Sequence, residues 1–525
     1  MFKNITPFAL ILVICFINYS VILSLGSLGG FPEHRYNNGL FPFLSEKPLS
    51  EDGFYSLAVS WNIASGYGIT YNGKTPTTGF QPLSVFINSL LAFIIILFGG
   101  DKYAFLRAVI ILSSVIQIVF AILIYLVASK LSSNTDKKML LIVSLLSVLF
   151  NFKLFLHFVN GLETGMYLTG LACFIFFFLR TNQKVFDYRS CVLLGLFAGL
   201  LMLVRADFLV IFILFLIVLL IYRYISIRGA ILIIAMSVLV TIPWLVYVFS
   251  VSGKLVSSSI TIQTGFVSHY SSVQRVDQFL SAIIHYFTPF LYTGIYQQLV
   301  FYTIGTIYIG LLIFFLKKYH YEVIIKQHFR KLLIIVFPVI LLTFVYLFYS
   351  SAPYFYFRYF APLSAVTLPV IVIILSKVFQ ELNRVLVSVV YFIIIAVFSI
   401  HIILYFHSGK SYLSYALRPG YIQKVFGDSV SIASFQTGTL GFFLPNVYNL
   451  DGKVDQNAID YTKNNKLGRY VDSLNIDIIL SWKPYLQNFE EGYLENNWEV
   501  YSPDIGDSRS VCYIRKNINT EKYPK

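Results

Sequence analysis

Residues 50–82 read SEDGFYSLAVSWNIASGYGITYNGKTPTTGFQP and form a polar stretch between apolar runs. Two acids, Glu51 and Asp52, stand near its start. An aromatic-bearing amphipathic segment follows them, and a turn rich in Gly, Thr and Pro closes the stretch. An active site at a membrane surface requires polar groups of this kind directly beside apolar anchors. The stretch is therefore the first place to look for chemistry in this chain.

The composition of the whole chain is that of a membrane protein. Of 525 residues, 57% are hydrophobic and 12% are charged, and the mean hydropathy is +0.74, which excludes a soluble globular protein. The four cysteines are scattered, so neither a disulfide framework nor a zinc site is indicated. The net charge of +14 arises before residue 407, where 26 Lys and Arg face 12 Asp and Glu. Basic cytoplasmic loops explain this excess better than a nucleic-acid partner does.

Long apolar runs predict the membrane-spanning helices. They cover residues 5–25, 106–128, 139–158, 162–179, 230–249, 296–316, 332–348, 360–375 and 385–406. The run 191–222 is too long for one span and is interrupted at 205–207, where we predict a turn between two short helices. We predict that the run 83–98 is re-entrant or tilted, because the strongly basic loops then share one side. An α-helical polytopic protein of about 11 to 13 transmembrane helices follows.

The same arrangement predicts the sidedness of the chain in the cytoplasmic membrane. The N-terminus is cytoplasmic, residues 1–406 form the membrane module with an outer loop at 26–82, and residues 407–525 lie outside. Although only basic residues decide this orientation, it also places residues 51–52, 161–164, 205–207 and 358–359 on the outer face. Four polar groups on one membrane surface predict a site there.

Residues 407–525 have the composition of a soluble domain. Short buried strands are predicted at 429–435 and 476–482, a helical stretch at 456–474, and a closing pair of strands at 498–501 and 511–515. These elements predict a small α/β domain. It contains no Gly-x-Gly-x-x-Gly, so nucleotide binding is not indicated.

The acidic pair suits proton transfer. One carboxylate suffices to take a proton from an acceptor hydroxyl while a lipid phosphate leaves from the other side of a sugar. Glu51 and Asp52 are adjacent, so on a helix they point about 100° apart and cannot share one role equally. One acid is then the base and the other an orienter, or the pair serves only as a helix cap and a first-turn acid.

The other polar groups also have two explanations each. Glu163 begins an apolar helix, where the helix dipole alone favours a carboxylate. Arg205 and Asp207 either pair or line a cavity, or they snorkel at a tight turn; being two apart, they do not face each other on one helix. Arg358, beside Tyr359 in an aromatic run, is either a bidentate phosphate ligand or a basic anchor in an interfacial belt.

Several segments together resemble a known family. They are EDGFYSLAVSWNIASGYGITYNGKTPTTGFQPL (51–83), NGLETGMYL (160–168), LVRADFLV (203–210), FRYFAPL (357–363), ASFQTGTLGFF (433–443) and VYNLDG (447–452). In this order they resemble the bacterial polytopic GT-C glycosyltransferases, with arabinofuranosyltransferase-like and mannosyltransferase-like members nearest. The resemblance implies transfer of a sugar from a polyprenyl-phosphate donor to a glycan, lipid or protein acceptor outside the cytoplasm. Family members typically have an Asp-Asp pair in the first outer loop, so Asp52, the unchanged acid, is favoured as the base.

The resemblance also implies the roles of single residues. Asp52 and Glu51 are the catalytic acids. The donor phosphate is assigned to Arg205, Arg358 and Tyr359, and the substrate cavity to Glu163, Asp207, Gly79 and Gln81. No cofactor and no metal ligand is assigned, although metal use varies across the superfamily and a divalent metal is left open.

Two other classes compete with an enzyme. A secondary transporter should contain paired broken helices in two repeated halves, and the sequence has no such symmetry. A non-catalytic or polymerase-type membrane protein of envelope glycan assembly would explain an outer domain, but it does not need the acidic pair. The expected partners are membrane lipid, the polyprenyl-phosphate sugar and the acceptor, without nucleic acid.

Overall fold

A computed structural model describes most of the chain. The described residues are 9, 12–14, 16–17, 44–132, 135–181, 186–260, 272–290, 298–319, 322–349, 355–407, 413–501 and 510–516. Most of the predicted first anchor at 5–25 and the outer loop before residue 44 lie outside this set.

The part before residue 408 is helical. Its described helices are α1 (Glu51–Ala64), α2 (Pro82–Leu97), α3 (Lys102–Leu131), α4 (Lys137–Leu149), α5 (Phe152–Val159), α6 (Thr164–Arg180), α7 (Tyr188–Val204), α8 (Phe208–Ile221), α9 (Ile227–Ser252), α10 (Ser272–Phe287), α11 (Gln298–Lys318), α12 (Glu322–Tyr349), α13 (Tyr356–Tyr359), α14 (Pro362–Glu381) and α15 (Arg384–His407). The predicted turn between two short helices at residues 205–207 is confirmed, because α7 ends at Val204 and α8 begins at Phe208.

The helices α3, α9, α11, α14 and α15 are each long and apolar enough to cross a bilayer, and the bent pair α4 and α5 adds a sixth candidate among the described residues. Five further apolar helices or helix segments are shorter. The chain is thus a multi-pass membrane protein, while the number of spans stays a prediction. That α2 is re-entrant or tilted also stays a prediction; its 16 residues are fewer than the roughly 20 that cross the hydrocarbon core.

The central helix of the bundle is α14. In its most apolar window 72% of the residues are buried, against 17% for α9 and for α11. It packs against α3, α4 and α6. The outer helices leave apolar side chains such as Ile231, Val238 and Phe249 exposed, as lipid-facing surfaces require.

The apolar run predicted to span at 139–158 is interrupted by a bend that its hydropathy did not indicate. The chain bends by 64° between α4 and α5. Asn151 stands at the break with extended backbone, and its side chain accepts a hydrogen bond from the Leu154 amide, 3.1 Å away. A side-chain amide that caps a new helix ends the previous one even inside an apolar run.

The C-terminal domain combines a five-stranded sheet with short helices. Its elements are α16 (Leu413–Val425), β1 (Ile432–Ser434), α17 (Gly438–Phe443), β2 (Val447–Asn449), α18 (Gln456–Lys463), α19 (Leu467–Ser473), β3 (Ile478–Trp482), a 3-10 helix (Lys483–Asn488), α20 (Tyr493–Asn497), β4 (Trp498–Tyr501) and β5 (Ser510–Arg515). The strand order is β2-β1-β3-β5-β4. The pairs of β1 with β2 and with β3 are parallel, and β5 is antiparallel to β3 and β4.

Alternate side chains of the sheet enter two separate cores. Ile432, Ile478 and Leu480 pack with residues of α16 on one face, whereas Ala433 and Ile479 pack with α18 and α19 on the other. The small α/β domain is therefore confirmed. The predicted helical stretch at 456–474 is divided into two helices, and β2, α16 and α17 were not predicted.

The helix α17 joins the C-terminal domain to the membrane module. The ring of Phe54 lies 5.4 Å from that of Phe442 and 6.0 Å from that of Phe443. The Lys102 ammonium donates to the Phe442 carbonyl at one end of α17, and the Glu51 carboxylate accepts from the Thr439 amide at the other end. Both charges match the partial charges that a helix carries at its ends.

Candidate active site

The acid pair, Glu51 and Asp52, opens α1. Ser50 caps this helix, since its hydroxyl accepts from the Gly53 amide at 3.0 Å. The Ser50 amide and hydroxyl both donate to the Asn160 carbonyl, at 2.9 and 3.0 Å. The start of α1 is thereby fixed beside the loop that leads to Glu163. Both acids lie in the first turn of α1, and Ser50 caps the helix instead of either acid.

Glu51 is occupied by the C-terminal domain. Its Oε2 accepts from the amide of Thr439 at 3.0 Å and from the hydroxyl of the same residue at 2.5 Å. A Cβ on Gly438 would lie 2.0 Å from the Glu51 carbonyl oxygen, so only glycine allows this approach. Burial raises the pKa of Glu51, and the Thr439 hydrogen bonds only partly offset this rise. The geometry makes Glu51 a contact between the two modules.

Asp52 meets a different segment of the same domain. Its Oδ1 lies 3.1 Å from the Nζ of Lys453, which is also 3.6 Å from Asp451 Oδ2. The Asp52 and Lys453 side chains keep 28% and 30% of their surface exposed. Burial raises the pKa of Asp52, but the nearby charges of Lys453 and Arg358 lower it by a larger amount. The net pKa of Asp52 therefore lies below its ordinary value. Asp52 is therefore an ionised carboxylate that solvent can still reach.

The backbone of Lys453 is held on two sides. Its carbonyl accepts from the Ser258 hydroxyl at 2.9 Å, and the Ser258 amide donates to Thr78 Oγ1 at 3.2 Å. A Cβ on Gly79 would come within 1.7 Å of the Lys453 carbonyl oxygen. Gly79, predicted to shape the cavity, thus lets the outer loop pack directly on the C-terminal domain.

Four charged residues of the membrane module form a second group, here called the arginine cluster: Glu163, Arg205, Asp207 and Arg358. Glu163 Oε1 accepts from Arg358 Nη2 at 2.8 Å and from Arg205 Nη1 at 3.2 Å. The other side of the Arg205 guanidinium binds Asp207, with Nη2 2.6 Å from Oδ2. The side chains are 2% exposed for Glu163, 6% for Arg205, 14% for Asp207 and 19% for Arg358.

Arg205 and Asp207 pair, which is one of the alternatives that the sequence left open. They can do so because they lie in the predicted turn and not on one helix: Arg205 ends α7 with extended backbone at φ −150° and ψ 122°, and Asp207 precedes α8. The turn brings the two side chains together. Glu163 likewise stands at the start of α6 without capping it, because its side chain reaches the two arginines.

The remaining predicted residues lie at the borders of the two groups. Tyr359 is buried and stacks on Tyr346 with ring centroids 4.3 Å apart, and the Tyr346 hydroxyl donates to Asp207. Gln81 directly precedes α2, where its backbone carbonyl accepts from the Ser84 hydroxyl and the Val85 amide. The predicted roles of Tyr359 in donor binding and of Gln81 in the cavity stay predictions.

The polar groups lie close together in the structure, while their position on the outer face stays a prediction. The arginine cluster is in direct contact, the charge of Arg358 acts on Asp52, and Ser50 links the acid pair to the loop before Glu163. Two further residues of the site, Lys453 and Thr439, come from the C-terminal domain and were not predicted. Both lie in or next to the segments 433–443 and 447–452 that carry the family resemblance, and this was the signal available for them.

The described residues include no group of three or more His, Cys, Asp and Glu side chains arranged to hold a metal ion. Asp52 and the two acids of the arginine cluster pair with lysine or arginine side chains instead. Glu51 accepts hydrogen bonds from Thr439. Metal use therefore stays open.

Comparison with solved structures identifies the fold. ArnT from Cupriavidus metallidurans bound to undecaprenyl phosphate superimposes with a TM-score of 0.60 at 12% identity, over 98% of this chain and 99% of that one, and its apo state gives the same values. The archaeal oligosaccharyltransferase AglB from Archaeoglobus fulgidus, in complex with an inhibitory peptide and a dolichol-phosphate, gives 0.50 at 12% identity, over 97% and 74%. No family model and no curated protein sequence matches the chain.

The chain thus shares the fold of these two structures, and the predicted resemblance is supported at the level of the fold alone. The likeness covers the membrane module and the C-terminal domain together. An identity of 12% establishes the fold alone, so the arabinofuranosyltransferase-like or mannosyltransferase-like subtype stays a prediction.

Proposed function

We propose that the protein is an integral-membrane glycosyltransferase that moves a sugar from a polyprenyl-phosphate donor to a glycan, lipid or protein acceptor. The transfer takes place at the outer face of the cytoplasmic membrane. The fold supports this proposal, since one similar structure holds undecaprenyl phosphate and another a dolichol-phosphate. The observation that carries it is the position of Asp52, an ionised and partly exposed carboxylate at the junction of the two modules, with two cations nearby.

The reaction is an inverting displacement. The acceptor hydroxyl oxygen attacks the anomeric carbon from the face opposite the phosphate. The bond between that carbon and the phosphate oxygen breaks, and its electron pair leaves with the polyprenyl phosphate. Asp52 takes the hydroxyl proton as general base. Glu51 is less suited to this task, because Thr439 already occupies its carboxylate.

The donor phosphate is assigned to Arg358 before Arg205. Arg358 is the more exposed of the two, and its buried Nε has no hydrogen-bond partner among the described residues. Arg205 directs its guanidinium to Glu163 and Asp207, which leaves it few free donors. Arg205 then supports the site through these carboxylates, and Glu163 orients Arg358 for a bidentate contact with phosphate.

A deletion strain tests the proposal. Mass spectrometry of its surface glycans should reveal a missing sugar, which the wild-type gene restores and Asp52→Asn does not. Asp460→Asn is the matched control, because Asp460 is an exposed acid of the C-terminal domain that pairs with Lys254; it should restore the glycan fully. Full restoration by Asp52→Asn would exclude the general-base role.

Purified protein separates an enzyme from a transporter. Incubation with a radiolabelled polyprenyl-phosphate sugar and an acceptor extract should release polyprenyl phosphate and transfer the label. A transporter would leave the bond between sugar and phosphate intact. Transport of the unbroken donor without transfer would therefore replace the proposed function by the alternative.

The orientation is part of the proposal, with the C-terminal domain outside the cytoplasm and the N-terminus inside. Ser429→Cys places a thiol on an exposed site of the C-terminal domain, and Lys138→Cys does so at the exposed basic start of α4, on the predicted cytoplasmic side. An impermeant thiol reagent should label Ser429→Cys in intact spheroplasts and Lys138→Cys only after permeabilisation. The reverse pattern would invert the topology.

A further inference from the structure

The Asp52–Lys453 pair differs from a structural salt bridge. It joins two modules 401 positions apart in sequence, and both side chains are more than a quarter exposed. Partly exposed ion pairs contribute little to stability and open at low cost. The backbone of Lys453 is fixed by Ser258 and Gly79, whereas its ammonium stands at the end of a flexible four-carbon stem. The lysine is thus anchored at one end and free to change partners at the other.

The pair also opposes catalysis by Asp52. An ammonium at 3.1 Å stabilises the ionised carboxylate and so reduces its strength as a base. Asp451, whose Oδ2 lies 3.6 Å from the same Nζ, offers the ammonium a second carboxylate. Lys453 therefore stays charged when it leaves Asp52, since a counter-ion remains beside it.

We propose that Lys453 is a further catalytic residue: when the donor binds, its ammonium passes from Asp52 to the donor phosphate, and this exchange frees Asp52 to act as the base. The inference rests on the proposed function for the identity of the donor. It gives the C-terminal domain a direct part in the reaction. It also prevents Asp52 from activating water before a donor is present.

Binding of undecaprenyl phosphate to the full chain in nanodiscs tests the contact, with undecaprenol as the lipid without phosphate. Lys453→Met should weaken undecaprenyl phosphate binding at least about tenfold, the loss expected for one charge-assisted hydrogen bond. Lys453→Arg should retain most of the affinity. Lys74→Met is the matched control, because Lys74 also reaches the C-terminal domain, where its Nζ lies 2.7 Å from Asn446 Oδ1; it should bind like wild type.

A double-mutant cycle tests the exchange itself. Asp52→Asn removes the partner that competes for the ammonium, so it should tighten undecaprenyl phosphate binding about three- to fivefold. This factor corresponds to the free energy that a partly exposed ion pair contributes. The gain should vanish when Asp52→Asn is combined with Lys453→Met. A gain that persists in the double variant would reflect charge repulsion between Asp52 and the phosphate, and it would overturn the exchange.

The pH profile provides a readout that a structural role would not move. The acid limb of kcat/KM reports the free enzyme and that of kcat reports the complex. In wild type the paired Asp52 should titrate at lower pH in the free enzyme than in the complex. In Lys453→Met the acid limb of kcat/KM should move to higher pH, and the difference in pH between the limbs of kcat/KM and kcat should disappear. The groups that act on Asp52 besides Lys453 are Arg358, Glu51, Asp451 and Tyr359, and they are unchanged in this variant.

The outcomes separate the two levels of the proposal. If wild type binds undecaprenyl phosphate no better than undecaprenol, the proposed function fails. If wild type distinguishes the two lipids and Lys453→Met does so equally well, only the role of Lys453 fails. Should Lys453→Met not fold, Asp52→Asn carries the test, and unchanged affinity for undecaprenyl phosphate in that variant would overturn the exchange.

Discussion

The arginine cluster and the acid pair lie close together but are built in opposite ways. In the arginine cluster all four side chains are at most 19% exposed and each carboxylate faces a guanidinium. Asp52, by contrast, is 28% exposed and faces one lysine that comes from the other module. A buried network of ion pairs holds side chains in place, whereas a partly exposed pair that opens at low cost can exchange partners with substrate. Proton transfer is therefore assigned to Asp52, and the arginine cluster is assigned the framework that positions Arg358 for the donor phosphate.

Glu163→Gln should have the largest effect on stability. It leaves the buried guanidiniums of Arg205 and Arg358 without their shared carboxylate, and breaking a buried ion pair costs about 3 to 5 kcal/mol. Thermal unfolding in detergent should show a strongly lowered midpoint. Glu381→Gln, which breaks the exposed pair with Lys318, is the control and should change the midpoint little. An intact midpoint in Glu163→Gln would remove the framework role.

The two arginines should respond differently to lysine. Arg358→Lys keeps the charge but loses the bidentate fork, so the donor KM should rise about tenfold while the fold stays intact. Arg205→Lys should mainly lower the unfolding midpoint, because its fork binds Asp207 and Glu163. Steady-state kinetics and thermal unfolding of both variants test this difference. Equal rises of the donor KM in both variants would show that Arg205 also binds the donor phosphate.

The smallest expected effect is the pH dependence of stability, where the two adjacent acids should act in opposite directions. Burial raises the pKa of Glu51, so the folded state holds its proton longer than the unfolded state does, and stability falls as pH rises from the ordinary to the raised pKa. The net pKa of Asp52 is lowered, so its contribution is present above the ordinary Asp pKa and is lost as pH falls through the lowered one.

Unfolding midpoints across pH test these directions. Glu51→Gln should flatten the first trend. Asp52→Asn should flatten the second by about 1 kcal/mol or less, as expected for a partly exposed ion pair. If both variants altered the curve in the same direction, the contrast between the two acids would be contradicted.

Much of the fold follows from the sequence because hydropathy and breaks in it are local signals. The spans and the turn at 205–207 were predicted from apolar runs and the charges that interrupt them. The bend at Asn151 was missed, because one capping amide hardly changes the hydropathy of its window. The strand β2 and helix α17 were missed because three and six residues are too few for a clear period.

The site was predictable only in part. The acids and arginines were found because charged residues inside or beside apolar runs are rare. Lys453 and Thr439 belong to a soluble domain, where a lysine or a threonine attracts no notice, and their contacts with the acid pair span 401 and 388 positions. Contacts of that separation are created by the packing of the two modules and have no periodic trace in the sequence.

Asp52, and not its neighbour Glu51, is the proposed general base. The most direct measurement is the turnover of purified Asp52→Asn and Glu51→Gln with a polyprenyl-phosphate sugar, together with donor affinity. Asp52→Asn should lose about 10² to 10⁴ in kcat and still bind donor, because it keeps the shape of the side chain and removes its basicity. Glu51→Gln should lose much less. Wild-type turnover in Asp52→Asn, or a greater loss in Glu51→Gln, would contradict the claim.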